Sequence, residues 1–382
     1  MRVLVAPGPF SGALSAVEAA AAIRRGWLAQ APATTVVERA MSDGGTELLD
    51  VVHAARGGRL VSLTGHGPLG SPVPASLLHV AGAAGGTVYV DAGQVLGRQL
   101  TAAENALPAA ERGTSRGLGE LLLAALELGA SRIVVGLGDA ASHDAGRGVL
   151  EALTGDTSGS ALAAARDRLA RTDVVVAAGS TAPLLGLHGA GAMLAERPGI
   201  GPAEAQRLDT AIAGYVAELD RSAAALAVTR PPLAMASTAA SPAHSHRPAG
   251  RVRPGGAEGS GAGGGVGYLL ALLGARVLPG APVVAGSIGL AGAVEDVDLV
   301  LTGRSVLDAP ALDGGVLAAV SEAAMSLGLP VVVLAEEVHT SRREVARVGV
   351  SSTYEIGRPA DGALAALESW SARVARTWAR TA

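Results

Sequence analysis

Short β-branched runs alternate along the chain with stretches whose apolar residues fall on one helical stripe. Residues 3–6 read as a strand that Pro7-Gly8-Pro9 breaks. Ser15 with Glu18 three positions on forms a capping box, in which each side chain takes up an amide of the first helical turn. Ala16, Ala20, Ile23 and Trp27 then share one face of a helix that Pro32 ends. A strand over 34–38, a loop Met41-Ser42-Asp43-Gly44-Gly45 and a helix over 46–55 follow. This strand–helix–strand–helix order implies parallel pairing.

Residues 60–63 predict another strand, and the prolines and glycines of 65–74 bar that stretch from a central strand or a helix. A strand over 87–90 delivers Asp91, and a small-residue loop at 114–119 precedes a helix over 120–128. The buried run 133–135 leads into a glycine-rich loop around Asp139 and Asp144, and an apolar pattern restarts at Val149. In α/β proteins such strand-to-helix loops, at the carboxyl ends of strands, carry the sites. A strand over 173–176, a turn at 180–183 and a helix over 203–226 come next. From 229 to 265 large apolar residues almost vanish, which predicts a disordered loop. His244 and His246 lie in it with no acid or thiolate nearby, so they read as solvated loop residues. The glycines of 259–267 run into an apolar helix over 268–273 and read as an anion cradle. The α/β rhythm then returns. A strand over 298–302 ends in Gly-Arg-Ser, and a helix over 310–327 and a buried strand over 331–334 follow. A helical turn at 344–348 and an amphipathic helix over 360–378 close the chain.

With 382 residues, the chain is long enough for two or three cores. Aromatics are only 2%, so those cores must be Ala, Val and Leu, and base-stacking platforms are not expected. A net charge of −4 argues against a nucleic-acid surface, and no apolar run approaches a membrane span. Without a signal-peptide pattern, a cytoplasmic protein is expected. The absence of cysteine excludes disulfides, thiolate nucleophiles and Cys-ligated metals. Lysine is absent too, which excludes Schiff-base and Walker-lysine mechanisms. Phosphate would be held by Arg, by backbone N–H groups of glycine-rich loops, or by a helix N-terminus.

Asp43, Asp91, Asp144 and Asp308 all fall in loops with small residues. If those loops share a face, they form a multi-carboxylate cleft beside an anion site, which suits Mg²⁺ and phosphoryl transfer. Taken singly, each aspartate reads first as a turn or cap residue.

The order of these segments resembles that of the bacterial glycerate kinases of the second type, which phosphorylate glycerate with ATP. The resemblance rests on Phe-Ser-Gly at 10–12, Met-Ser-Asp-Gly-Gly at 41–45 and Gly-Pro-Leu-Gly at 67–70. It continues through Thr114-Ser115, the loop around Asp144, Pro-Leu-Leu-Gly at 183–186, the glycines of 261–267, Thr302-Gly303 and Leu307-Asp308. It implies an α/β fold of two domains, with the active site in the cleft between them. One domain is flavodoxin-like, with a parallel sheet built from 1–62 and 282–382. The other is an inserted α/β domain over 63–281. The cofactors implied are ATP and Mg²⁺, and the partners a small hydroxy acid and a nucleotide. A second copy of the chain or a partner kinase would be the protein partner; nucleic acid and membrane are not expected.

The chain departs from that family where chemistry would sit. Gly8 and Ser11 stand where the family has an acid and a lysine. Asp139, Ala140, Ser142 and His143 stand where it has Gly, Ser, Thr and Asn, and Asp144 survives. Ser180 and Ala182 replace Asp and Asn, Arg304 replaces Glu, Pro310 replaces Gln and Gly315 replaces Lys. One expectation is an active phosphotransferase. In it Asp144, Asp308 and Arg304 are catalytic and Asp308 also binds metal. Ser11, Asp43, Gly44, Gly45, Thr114, Ser115, Gly263, Gly264, Gly265, Thr302 and Gly303 bind nucleotide or substrate. The alternative is a catalytically silent relative that binds nucleotide or carboxylate as a sensor, regulator or scaffold.

Overall fold

The computed structural model describes residues 1–10, 14–229, 254–357 and 362–379. Ser11, His244 and His246 lie outside the described residues. The chain forms two compact units, one from 1–58 with 279–382 and one from 59–278. Its strands in chain order are β1 (Arg2–Val5), β2 (Thr35–Glu38), β3 (Arg59–His66), β4 (Pro72–Val80), β5 (Thr87–Asp91), β6 (Arg132–Leu137), β7 (Asp173–Ala178), β8 (Arg276–Pro279), β9 (Leu299–Leu307), β10 (Val331–Val338) and β11 (Val350–Glu355).

The unit built from both chain ends holds a five-stranded sheet in the order β2-β1-β9-β10-β11. Every pairing in it is parallel. Counted within the unit, the order is 2-1-3-4-5, that of flavodoxin-like folds, with its topological switch point between β1 and β9. The central strands β1, β9 and β10 carry continuous buried apolar runs, as strands covered on both faces do. Val3, Leu4, Val5, Leu299, Val300, Leu301, Val331, Val332 and Val333 are fully buried. The capping box at Ser15 and Glu18 is present. Helix Ala16–Gln30 packs on the closing helix Ala363–Trp378 at backbone contact distance. A Cβ at Gly26 would lie 2.1 Å from the Glu368 carbonyl oxygen, and the Ser371 hydroxyl donates to the Ile23 carbonyl at 2.7 Å.

The inserted unit holds a six-stranded mixed sheet in the order β3-β4-β5-β6-β7-β8. β4 runs antiparallel to β3 and β5, whereas β5, β6 and β7 are parallel. Its core is Leu77, Val88, Val90, Leu118, Leu121, Ile133, Val135, Val149, Leu150 and Val176 with their neighbours. Among the described residues, no helix is long and apolar enough to cross a membrane.

Several local expectations are corrected. β3 runs on to His66, and the proline-rich stretch opens β4. Pro72 and Pro74 face only β3, because β5 pairs no earlier than Leu77, so their missing N–H groups break no ladder. Helix Arg116–Glu127 starts four residues before the expected Glu120. Gly303, Arg304 and Ser305 are not a loop; β10 pairs alongside β9 as far as Leu307 and holds them in the strand. The expected helix over 310–327 is broken at Gly314 into Ala309–Asp313 and Gly315–Met325. Of the stretch expected to be disordered, 254–265 is ordered around the buried Ser260. The Ser260 hydroxyl accepts from the Leu184 amide at 2.8 Å and donates to the Ala257 carbonyl at 2.6 Å. Strands β8 and β11 were not expected. β11, Val-Ser-Ser-Thr-Tyr-Glu, is a polar sheet edge with little hydrophobic signature.

Candidate functional site

In the unit from both chain ends, the loops at the carboxyl ends of β1, β2 and β9 surround the switch point. The Gly8 amide donates to the Gly303 carbonyl at 2.9 Å, and the Met41 amide donates to the Pro7 carbonyl at 2.8 Å. Thr302 is buried, and its hydroxyl donates to the Ala6 carbonyl at 2.8 Å, tying β9 to β1. Gly303 leaves room for Phe10, whose ring would lie 2.7 Å from a Cβ there. Both residues expected to bind ligand therefore have a structural task.

Asp43 is exposed and closes its own turn, accepting from the Gly45 amide at 2.9 Å. Gly44 takes a left-handed φ of 89°, which suits glycine. The buried Ser42 hydroxyl donates to the Thr46 carbonyl and accepts from the Gly44 amide, fixing the loop.

Arg304 projects from β9 beyond the end of β1 and is half-buried. Its Nε is sealed from solvent and has no hydrogen-bond acceptor among the described residues. Burial pulls its pKa below the ordinary arginine value, and Asp308 and Asp43 oppose that shift through space. An arginine stays charged under such a shift. Asp308 caps helix Ala309–Asp313, its Oδ1 accepting from the Ala311 amide at 3.1 Å.

A divalent cation held by protein ligands alone has no site at Asp308, whereas Mg²⁺ arriving with a nucleotide needs only one or two carboxylates. A guanidinium already neighbours that carboxylate, and no group of three or more His, Cys, Asp or Glu able to hold a metal exists among the described residues. A phosphate or carboxylate does fit, because a guanidinium short of acceptors offers the donors such groups require.

In the inserted unit, Asp144 sits where two helices begin, Arg116–Glu127 and Arg147–Thr154. Its Oδ2 accepts from the Ser115 amide and hydroxyl, each at 2.8 Å, and from the Gly148 amide at 3.0 Å. Its Oδ1 accepts from the Gly146 amide at 3.0 Å. A carboxylate at two helix N-termini that accepts four hydrogen bonds has much of its accepting capacity taken up within the fold. Ser115 is fully buried and completes the joint by accepting from the Val149 amide at 3.1 Å. The Thr114 hydroxyl accepts from the Arg116 amide at 3.1 Å.

Gly263, Gly264 and Gly265 all have left-handed φ and are buried. A Cβ at Gly264 would lie 2.0 Å from the Ser142 carbonyl, and one at Gly265 would lie 2.7 Å from Ala145 Cα. The Ala145 amide donates to the Gly264 carbonyl at 3.1 Å. These glycines are needed for close packing against 142–145. Asp91 is buried, and its Oδ1 accepts from the Gly93 amide at 2.8 Å.

Arg304, Asp308, Asp43, Thr302 and Gly303 thus gather in one unit, and Asp144, Ser115, Thr114 and the 263–265 glycines in the other. One charged cluster had no sequence signal. Arg98 and Arg197 both bind Asp139, through Arg98 Nε at 2.8 Å and an Arg197 terminal nitrogen at 2.8 Å. Neither arginine belongs to a motif, and they are 99 positions apart. Close by, His143 is buried with Nε2 unpartnered. Burial first, then the Arg197 charge, lowers its pKa to about 4.

Comparison with known proteins agrees with this architecture. The model of the glycerate kinase family matches residues 3–382. A glycerate kinase of Bacillus subtilis is 30% identical over 375 residues, covering 93% of this chain and 90% of that protein. An uncharacterized protein of Mycobacterium bovis is 34% identical over 367 residues, covering 96% and 87% respectively. The crystal structure of a Salmonella typhimurium LT2 protein assigned as glycerate kinase 2 superposes with a TM-score of 0.75 at 26% identity, covering 99% of this chain and 98% of that one. The chain belongs to the glycerate kinase family.

Proposed function

We propose that the protein transfers a phosphoryl group from ATP to a hydroxyl of glycerate or a similar small hydroxy acid, with Arg304 as the residue that holds the transferred phosphate. The observation that carries this reading is the half-buried guanidinium at the switch point, whose Nε has no acceptor among the described residues. Burying an ionised group without a direct partner is costly, and an anionic ligand offsets that cost. Phosphoryl transfer asks the protein mainly to position groups and neutralise charge.

In the proposed step the substrate hydroxyl oxygen bonds to the γ-phosphorus and the bond to the β,γ-bridging oxygen breaks, releasing ADP. The hydroxyl proton passes to Asp308. Its Oδ1 takes the Ala311 amide, and Oδ2 has no donor among the described residues. Arg304 stabilises the charge on the transferring group. Asp144 takes no part beyond fixing the 144–148 loop.

A second reading has its own support. The four donors on Asp144 leave that carboxylate bound within the fold, which favours a non-catalytic relative that binds nucleotide or carboxylate. A coupled ADP-release assay with Mg-ATP and glycerate separates the two. Turnover that Arg304→Met abolishes supports the transferase. Nucleotide binding without turnover supports the silent relative. Turnover that Arg304→Met leaves intact refutes the role given to Arg304.

A further inference from the structure

A cavity of about 350 Å³ opens in the inserted unit beside the Asp139 cluster, within the range of small-molecule sites. Arg98, Gln99 and Arg197 supply its polar wall, and Ala102, Ala106 and Pro198 are among its apolar lining. The two guanidiniums share a single carboxylate, so the cluster carries one uncompensated positive charge. The side chain of Arg197 is only 14% exposed. Each arginine carries five N–H donors. Among the described residues, Asp139 is their only acceptor, so donors remain on both. His143 adds no charge at neutral pH, because burial and Arg197 keep it unprotonated.

Asp139 stands where the sequence resemblance places a glycine, and it is the group that holds the two arginines together. A glycine there would leave two like charges beside each other with no anion between them. The arrangement therefore belongs to this chain's own loop. None of the residues given to phosphoryl transfer lines the cavity.

We propose that this cavity is a second binding site, for a small monocarboxylate with an apolar body. The carboxylate would meet the free donors of Arg98 and Arg197, and its hydrocarbon part would lie against Ala102, Ala106 and Pro198. Glycerate, with two hydroxyls on three carbons, is a poor match for that apolar lining. Neither Arg304 nor Asp308 takes part in it.

The test is calorimetric titration of the full chain with sodium hexanoate, with hexan-1-ol and inorganic phosphate as comparison probes. Hexanoate is expected to bind at least about tenfold more tightly than hexan-1-ol, since a charge-assisted contact is worth about that factor. Phosphate is not expected to displace it. Arg98→Gln, a change at an exposed side chain, is expected to weaken hexanoate about tenfold. Ala106→Leu fills the apolar end and is expected to abolish binding, with the thermal unfolding transition unchanged. Arg304→Met is expected to leave hexanoate affinity unaltered. Absence of hexanoate binding, equal affinity for hexan-1-ol, displacement by phosphate, or indifference to both Arg98→Gln and Ala106→Leu would overturn the proposal.

Discussion

Asp144 in the inserted unit and Arg304 in the unit from both chain ends are half-buried charges in loop-rich regions at strand ends, and the fold treats them in opposite ways. Asp144 receives four hydrogen bonds from Ser115, Gly146 and Gly148. Arg304 keeps an Nε with no acceptor among the described residues. A charge that its own fold satisfies serves the fold, whereas one left short of partners is free to serve a ligand. The aspartate that the sequence resemblance marks as retained is thus a joint between two helix starts. The arginine that departs from the family is the better candidate for chemistry.

That contrast can be broken by substitution. Asp144→Ala leaves the Ser115, Gly146 and Gly148 donors unpaired and is expected to cost about 3 kcal/mol or more, read from the urea midpoint. A cost near zero would erase the distinction. The next effect is one of pH. His143 packs in the same loop, with its pKa lowered from 6.5 to about 4. Below pH 6.5 the unfolded chain binds a proton that the folded chain refuses, so stability falls as pH drops from 6.5 towards 4. The loss reaches up to about 3 kcal/mol. His143→Gln is expected to flatten that part of the stability profile, and an unchanged slope would show that the loop opens to water. Ser115→Ala removes the hydroxyl that links Asp144 to the Val149 amide and is expected to cost about 1–2 kcal/mol in the same denaturation measurement. Arg304→Met comes last. Removing a half-buried charge whose Nε has no acceptor among the described residues is expected to leave stability unchanged or slightly raised, by thermal unfolding.

Features governed by local chemistry were legible in the sequence. The Ser15–Glu18 capping box, the buried stripe ending at Trp27 and the parallel strands β1, β2, β6 and β10 each follow from neighbouring residues. Features decided by distant partners were not. β4 forms across two prolines because only β3 pairs with them. Gly303-Arg304-Ser305 has turn composition, yet β10 holds it in a strand. The 263–265 glycines read as a phosphate cradle by composition, and the nearness of Ser142 and Ala145 gives them another purpose. Family order marked both Asp144 and Arg304. Only the hydrogen-bond inventory separates their roles, and nothing in the sequence joins Arg98 to Arg197.

The most direct test of this contrast is calorimetric titration of Mg-ATP into the wild-type protein and into Arg304→Met, with the stability of both measured on the same samples. The account predicts that the wild type binds and that Arg304→Met loses affinity by about tenfold or more while its unfolding midpoint does not fall. Equal affinity in the two proteins, or a loss of affinity explained by unfolding, would contradict it.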